Sequence, residues 1–127
     1  MKPNTNILWL DCVGGLVVGI IVLVFCKVLS NWEGLPLSVV AFMAIMNLVY
    51  GAFSLFITLR KPRPIILVRI LAIANMAWLL VCIAIVATWF NQLTLLGWIH
   101  VLGEGLYVAT LGWVEWKWRD RIGTTRE

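Results

Sequence analysis

Charged residues are scarce in this sequence of 127 residues. Asp, Glu, Lys and Arg together make up 13% of it, whereas hydrophobic residues make up 62%. Soluble domains average about 25% charged and about 45–50% apolar residues. A chain of this composition has too little polar surface to cover itself in water. The sequence therefore excludes a soluble globular enzyme and predicts an integral membrane protein.

Residues that serve catalysis or hold cofactors are equally sparse. The sequence has a single histidine, His100, so one subunit cannot supply both axial ligands of a haem that is held by two imidazoles. No CxxC, HExxH, GxSxG, P-loop or GxGxxG string occurs. The three cysteines are expected to be apolar fillers, although a bridge between Cys26 and Cys82 is geometrically open. We therefore predict no catalytic residue, no metal and no cofactor, and expect that the protein is not an enzyme.

Four long apolar runs dominate the chain, and each has about the 20 residues that a helix needs to cross a bilayer. Helices are expected because lipid offers no hydrogen-bond partner, so every backbone N–H and C=O must be paired within the segment. The short connections between runs favour antiparallel neighbours. The prediction is an all-α fold, a four-helix transmembrane bundle with up-down-up-down order, in a single domain over residues 1–127. The predicted spans are residues 7–29, 35–59, 65–89 and 95–113.

The cations fall on one side of this topology. Four crossings put both termini and the 60–64 connection on the same side, which carries Lys2, Arg60, Lys61, Arg63, Lys117, Arg119, Arg121 and Arg126. The opposite side has only Lys27. Because Lys and Arg accumulate on cytoplasmic loops, we predict an inner-membrane protein with both termini in the cytoplasm. Cations that lie at membrane ends favour contact with the lipid bilayer and not with nucleic acid.

Three ionisable residues lie inside the predicted spans, and such residues usually indicate function. Asp11 and Arg69 lie about 6 Å inside the cytoplasmic boundary, and Glu104 lies about 14 Å from it. We expect Arg69 to pair with a carboxylate in the inner half of the bundle. The further members of this candidate polar cavity or ion-pair cluster are Asn47, Tyr50, Asn75, His100 and Tyr107.

Spacing supports this grouping. His100 and Glu104 are four residues apart and Tyr107 follows one turn later, so the three share a helix face. Gly15 and Gly19 form a GxxxG pattern beside Asp11, which predicts that another helix packs closely there.

The polar residues admit a structural and a functional interpretation. In the first, they are buried pairs that fix helix contacts, and the protein is an accessory membrane component with a membrane-protein partner or a homo-oligomer. In the alternative, the protein is a small proton-coupled transporter or ligand-binding protein that uses a polar cavity with Asp11, Arg69 and Glu104. A third hypothesis is a redox subunit that binds quinone through His100, Tyr107 and Trp78.

Three short patterns support a resemblance. They are Asp11-x-x-Gly14-Gly15 in the first span, Arg69-(x5)-Asn75-x-x-Trp78 in the third, and the basic hinge at residues 60–63. With them the chain resembles small four-span bacterial inner-membrane proteins that have no assigned activity. This resemblance implies a fold and a location only. Small multidrug resistance transporters also have four short helices and an acid in the first, but there the acid lies mid-helix and the charge bias is weak.

Overall fold

The computed structural model describes residues 3–60 and 62–122, and all regular structure in these ranges is helical. The helices are α1 (Pro3–Val24), α2 (Cys26–Glu33), α3 (Leu37–Leu59), α4 (Ile65–Thr88), α5 (Leu95–Lys117) and α6 (Arg119–Ile122). Four of them, α1, α3, α4 and α5, are long and apolar enough to cross a membrane. The predicted four-helix bundle is thereby confirmed. Three of the cations used for orientation, Lys2, Lys61 and Arg126, lie outside the described residues.

Local sequence sets several helix ends. Pro36 and Pro64 adopt extended backbone angles immediately before α3 and α4, where the missing proline N–H costs least. The Thr94 hydroxyl caps α5 by accepting the Gly97 N–H at 3.2 Å. Gly34 ends α2 with a φ of +75°, a left-handed conformation that favours glycine.

The carboxyl ends of two helices differ by four or five residues from the predicted spans. The first span was expected to run to Leu29, but α1 ends at Val24 and α2 starts after a break at Phe25. The segment beyond this break contains Lys27 and Glu33 and packs against α3 and α5. At the other end of the chain, α5 continues four residues past the predicted border to Lys117.

The bundle consists of two tightly packed antiparallel hairpins, α1 with α3 and α4 with α5, which meet more sparsely at α1–α5 and α3–α4. Glycines permit the close approach within each hairpin. A Cβ on Gly15 would lie 2.9 Å from the Asn47 carbonyl oxygen, and one on Gly112 would lie 2.7 Å from the Ala72 carbonyl oxygen. The Gly15–Gly19 pattern therefore packs α1 on α3 of the same chain.

Polarity is distributed in the opposite way to a soluble bundle. Large aliphatic side chains such as Ile20, Ile73 and Leu80 are exposed on the outer surface, while several polar side chains are buried inside. This arrangement suits hydrocarbon as the surrounding medium. We call the end with α2 and residues 89–94 the α2 end, and the end with the α3–α4 connection and α6 the terminal end.

Candidate functional site: two buried polar clusters

Two groups of buried polar side chains lie in the interior of the bundle. The α2-end cluster comprises Glu33, Asn47, Trp78, His100 and Glu104. The terminal-end cluster comprises Asp11, Asn75 and Glu115. Between them, the clusters draw on all four spanning helices and on α2, so they form only when both hairpins have come together.

In the α2-end cluster, the His100 imidazole lies between two carboxyl groups. Its Nδ1 is 2.7 Å from Glu33 Oε2, and its Nε2 is 3.7 Å from Glu104 Oε2. The side chains of Glu33 and Glu104 are only 2% and 7% exposed. The imidazole can exchange a proton with either group, because each ring nitrogen faces a carboxyl oxygen.

Glu104 is held from two further helices. Asn47 on α3 donates from Nδ2 to Glu104 Oε2 at 2.8 Å, and Trp78 on α4 donates from Nε1 to Glu104 Oε1 at 3.2 Å. The Tyr50 ring packs edge-on against Trp78 with centroids 5.7 Å apart. Two donors on separate helices fix the orientation of this one carboxyl group. They keep the Glu104 carboxyl group directed into the bundle.

The connections of the two hairpins join at the α2 end and thereby position Glu33. Thr94 donates its N–H to the Glu33 carbonyl oxygen at 3.1 Å and its hydroxyl to the Trp32 carbonyl oxygen at 2.5 Å. A Cβ on Gly97 would lie 2.4 Å from the Glu33 carbonyl oxygen, so only glycine allows this approach. As a result, the Glu33 carboxyl group reaches His100 on the other hairpin.

In the terminal-end cluster, one amide bridges two carboxyl groups. Asn75 donates from Nδ2 to Asp11 Oδ2 at 2.6 Å and to Glu115 Oε1 at 2.9 Å. The one nitrogen atom therefore holds the Asp11 and Glu115 carboxyl groups close to each other. Two ionised carboxyl groups at such close range repel each other, and a proton on either group relieves that repulsion.

Some buried polar atoms have no hydrogen-bond partner within the described residues. They are Asn75 Oδ1, Glu33 Oε1, Glu115 Oε2, His100 Nε2 and Arg119 Nε. The Glu104 carboxyl group, 3.7 Å away, accounts for His100 Nε2. A buried polar atom without a partner costs about 1–3 kcal/mol, so Asn75 Oδ1 and Glu33 Oε1 require an explanation.

A small cavity of about 30 Å³ connects the two clusters. By this measure a water molecule needs about 10–15 Å³, so the cavity has room for about two. Its walls are Asp11, Gly14, Gly15, Val18, Asn47, Tyr50, Asn75, Glu104, Tyr107, Val108 and Leu111. Tyr107 and Gly14 also line a groove of about 580 Å³ on the outer surface between α1 and α5.

Six of the eight residues predicted for the polar site therefore line one cavity: Asp11, Asn47, Tyr50, Asn75, Glu104 and Tyr107. His100 contacts Glu104 one turn away. Arg69 is the exception, because its side chain is exposed on the outer face of α4 and makes no ion pair with any described residue. The expected Arg69–carboxylate pair is absent because its helix position points away from the interior.

The depth predicted for Glu104 also needs correction. It lies nine residues after the start of α5 at Leu95 and thirteen before its end at Lys117. At 1.5 Å per residue, these intervals are about 14 Å and about 20 Å, so Glu104 lies toward the α2 end. The polar interior is therefore not confined to the half of the bundle near the termini.

Three buried charged residues were missed by sequence reasoning: Glu33, Glu115 and Arg63. Glu115 had a detectable signal, because Glu104, Val108, Leu111 and Glu115 follow the spacing of one helix face. Glu33 had none, since its contact joins residues 67 positions apart.

Arg63 fastens the connection between α3 and α4. Its guanidinium donates to the carbonyl oxygens of Ile57, Thr58 and Ile122 at 3.2, 2.9 and 3.3 Å. Burial lowers the pKa of this guanidinium from its ordinary value. A cation at the carboxyl end of α3 is favourable because the helix dipole is negative there.

The remaining chemistry-bearing residues form no further site in the described ranges. Cys12, Cys26 and Cys82 are free thiols. Within residues 3–60 and 62–122, no group of three His, Cys, Asp or Glu side chains is arranged to hold a metal ion. No protein-family model, curated protein or solved structure matches this chain, so the two clusters are interpreted from their own geometry.

Proposed function

We propose that this protein is a small inner-membrane transporter that carries protons through its interior, with both termini in the cytoplasm. The orientation follows from the exposed cations Arg60, Lys117 and Arg121 at the terminal end, against Lys27 alone among the described residues at the α2 end. The proposal involves proton transfer only and requires no enzymatic chemistry.

The observation that carries the proposal is the sequence of titratable groups along the bundle axis. Glu33 is followed by His100 and then Glu104 at the α2 end, and the cavity leads from Glu104 to Asp11, which the Asn75 amide joins to Glu115. Buried ionisable groups in a membrane bundle cost about 2.5–3.5 kcal/mol each on insertion scales. The combined cost of burying four carboxyl groups is large for a protein of this size if they serve only to pack helices. This cost favours a functional role for them.

Each step of the route moves one proton. A proton passes from Glu33 Oε2 to His100 Nδ1 while another leaves Nε2 for Glu104 Oε2, after the 3.7 Å gap closes to about 2.8 Å. From Glu104 the proton crosses water in the cavity to Asp11, which exchanges it with Glu115. The other titratable side chains near these groups are Tyr50, Cys82, Tyr107 and Cys12.

The test is proton movement into liposomes that contain the purified protein. A membrane potential is imposed with potassium and valinomycin, sodium is present at equal concentration on both sides, and an internal dye reports pH. We expect Glu104→Gln to slow proton entry by about tenfold or more, because glutamine cannot accept and release the proton. Asp120→Asn, which removes an exposed acid from α6, is the matched control and keeps the wild-type rate.

A wild-type rate no greater than that of empty liposomes would refute the proposal. An equal rate in Glu104→Gln and wild type would exclude this route. His100→Gln provides a second variant that retains one hydrogen bond but lacks the second ring nitrogen, and its proton flux is expected to fall similarly.

A second candidate is an accessory component that acts through helix contacts with a membrane partner. In its favour, the described residues outside the four spans form only short connections, α2 and α6, so a partner would meet this chain mainly within the bilayer. The Gly15–Gly19 pattern is already used inside the chain, so such a partner would need another face. Crosslinking in native membranes tests this candidate, and recovery of monomer alone would contradict it.

A further inference from the structure

The proposed proton route needs an outlet at the terminal end, because the polar groups there are enclosed. Asn75 and Glu115 are 0% exposed, and Asp11 is 5% exposed. Asp11 does line the internal cavity of about 30 Å³, which has room for water. Water in this cavity must therefore meet water outside the bundle before a proton can leave Asp11 for the solution.

The groove between α1 and α5 leads from the terminal end toward this cavity. It begins at Asn6, an exposed polar residue and the first residue of the first candidate span. It extends to Gly14, eight residues or about 12 Å farther along α1. On α5 it is lined by Tyr107, which lies ten residues or about 15 Å before the end of that helix at Lys117. The groove thus reaches from the end of the bundle to the depth of the cavity.

One aromatic ring lies at the boundary between the groove and the cavity. Among the described residues, only Gly14 and Tyr107 line both spaces, and glycine has no side chain. The three atoms nearest to a Cβ on Gly14 would all belong to Tyr107, with the hydroxyl oxygen at 3.2 Å and two ring carbons at 3.6 and 3.9 Å. The phenol ring therefore lies directly over the α1 backbone at Gly14.

Gly14 differs in this respect from the glycines that pack helices together. A Cβ on Gly15, Gly51 or Gly112 would lie within 3.0 Å of a backbone atom of the neighbouring helix. At Gly14 the space of the missing side chain is taken by the Tyr107 ring, which is itself 48% exposed. A half-exposed side chain can change rotamer without displacing a helix, so this ring can move away from Gly14 while the bundle stays packed.

We propose that the Tyr107 ring is a gate between the internal cavity and the groove, and that its outward rotation connects the cavity with water at the terminal end. The inference deepens the proposed function and rests on it, because the gate supplies the outlet for a proton that has reached Asp11. In its closed position the ring keeps water out of a narrow passage, as apolar constrictions do in channels. When it is open, a proton passes between Asp11 and water, and no other reactant is needed.

Access to the cavity is measured with a cysteine placed in its wall. Cys12, Cys26 and Cys82 are replaced by alanine. Val108→Cys then supplies the single thiol, because Val108 lines the cavity and is only 9% exposed. The full chain is held in lipid nanodiscs, where reagent reaches both ends, and is treated with silver ion in chloride-free buffer. The thiol left unreacted is labelled with a fluorescent maleimide in denaturant. Tyr107→Ala is expected to speed the silver reaction by about tenfold or more, because the ring no longer closes the passage.

Two variants serve as matched controls for this measurement. Tyr107→Phe keeps the ring and removes only the hydroxyl group, so the thiol is expected to react at the wild-type rate. Leu106→Ala shortens a neighbouring side chain that is 58% exposed and lines neither space, and it is also expected to leave the rate unchanged. If Tyr107→Ala does not fold, Tyr107→Leu takes its place, because leucine keeps an apolar contact with lipid but lacks the ring.

The role of the gate in transport is tested by proton entry into liposomes under an imposed membrane potential. Tyr107→Ala is expected to raise the rate by about threefold or more, because protons no longer wait for the ring to move. Tyr107→Phe and Leu106→Ala are expected to keep the wild-type rate.

The outcomes separate the gate from the proposed function. Equal thiol reaction rates with Tyr107→Ala and with the native tyrosine would overturn the gate, whether or not protons move. A faster thiol reaction, with proton entry that exceeds that of empty liposomes but equals the wild-type rate, would mean that protons leave elsewhere and would also overturn the inference. A faster thiol reaction, with no more proton entry than in empty liposomes, would support the ring as a barrier and overturn proton transport.

Discussion

The two polar clusters compensate buried carboxyl groups in different ways. At the α2 end, Glu33 and Glu104 face an imidazole that can carry a positive charge, together with donors from Asn47 and Trp78. At the terminal end, Asp11 and Glu115 share one neutral donor, the Asn75 amide. A membrane bundle can therefore hold buried acids either beside a base or on a neutral amide, and only the first arrangement includes a nitrogen that can take up a proton.

Removing the central amide of each cluster is the strongest way to test this difference. Asn75→Ala deletes two hydrogen bonds to carboxyl groups and is expected to lower the free energy of unfolding by about 3 kcal/mol. Asn47→Ala deletes one such bond while Glu104 keeps Trp78, so we expect a loss of about 1 kcal/mol. Unfolding in mixed detergent micelles measures both values. If Asn47→Ala lowers the free energy of unfolding more than Asn75→Ala does, the α2-end cluster depends on its amide more than the terminal-end cluster does.

The next effect concerns the close approach that places Glu33 beside His100. In Gly97→Ala the new Cβ would meet the Glu33 carbonyl oxygen at 2.4 Å, so the two hairpin connections must separate. We expect the free energy of unfolding to fall by about 2 kcal/mol. Gly103→Ala is the control in the same helix, because its Cβ meets nothing within 4 Å. Equal stability of the two variants would show that the connections are not held together there.

Neutralising one acid in each cluster is expected to give the smallest loss in the free energy of unfolding, and it compares the two clusters directly. Glu115→Gln leaves Asp11 beside a neutral amide, which can donate a hydrogen bond to the Asp11 carboxyl group as a protonated Glu115 would. We expect a loss of under about 1 kcal/mol in the free energy of unfolding. Glu33→Gln removes the carboxyl partner of His100 and is expected to cost about 1.5 kcal/mol. If Glu115→Gln proves the more destabilising variant, Glu115 is not the protonated member of the pair.

Sequence reasoning was most successful where hydrophobicity alone decides structure. The four apolar runs gave the four spanning helices, and the starts of α4 and α5 agree with the predicted positions of residues 65 and 95. It was less successful at residues 25–33, where the predicted span continues into a segment with Lys27 and Glu33 but the first helix ends at Val24 and a second begins at Cys26. Hydropathy measures how much a segment prefers lipid, but it does not report where the backbone bends.

Only part of the candidate site could be predicted, because the sequence reports spacing within one helix but not how separate helices meet. Helical spacing joined His100 to Glu104, because both lie on one element and their separation fixes their faces. Arg69 was assigned to the interior because an ionisable residue in a span usually faces inward, but its position lies on the exposed side of α4. Glu33 could not be assigned, since its place depends on how the two hairpin connections meet.

The uneven distribution of polar groups between the hairpins affects how the protein is made. The last spanning helix, α5, has the lowest mean hydropathy of the four candidate spans and carries His100, Glu104 and Glu115. Two of its partners, Glu33 and Asn47, belong to the earlier half of the chain, and two others, Asn75 and Trp78, lie on α4. During synthesis these residues emerge before α5, so they are available in the bilayer as hydrogen-bond partners for the least hydrophobic of the four spans. Stable insertion of α5 therefore depends on residues translated 26 to 67 positions before their partners.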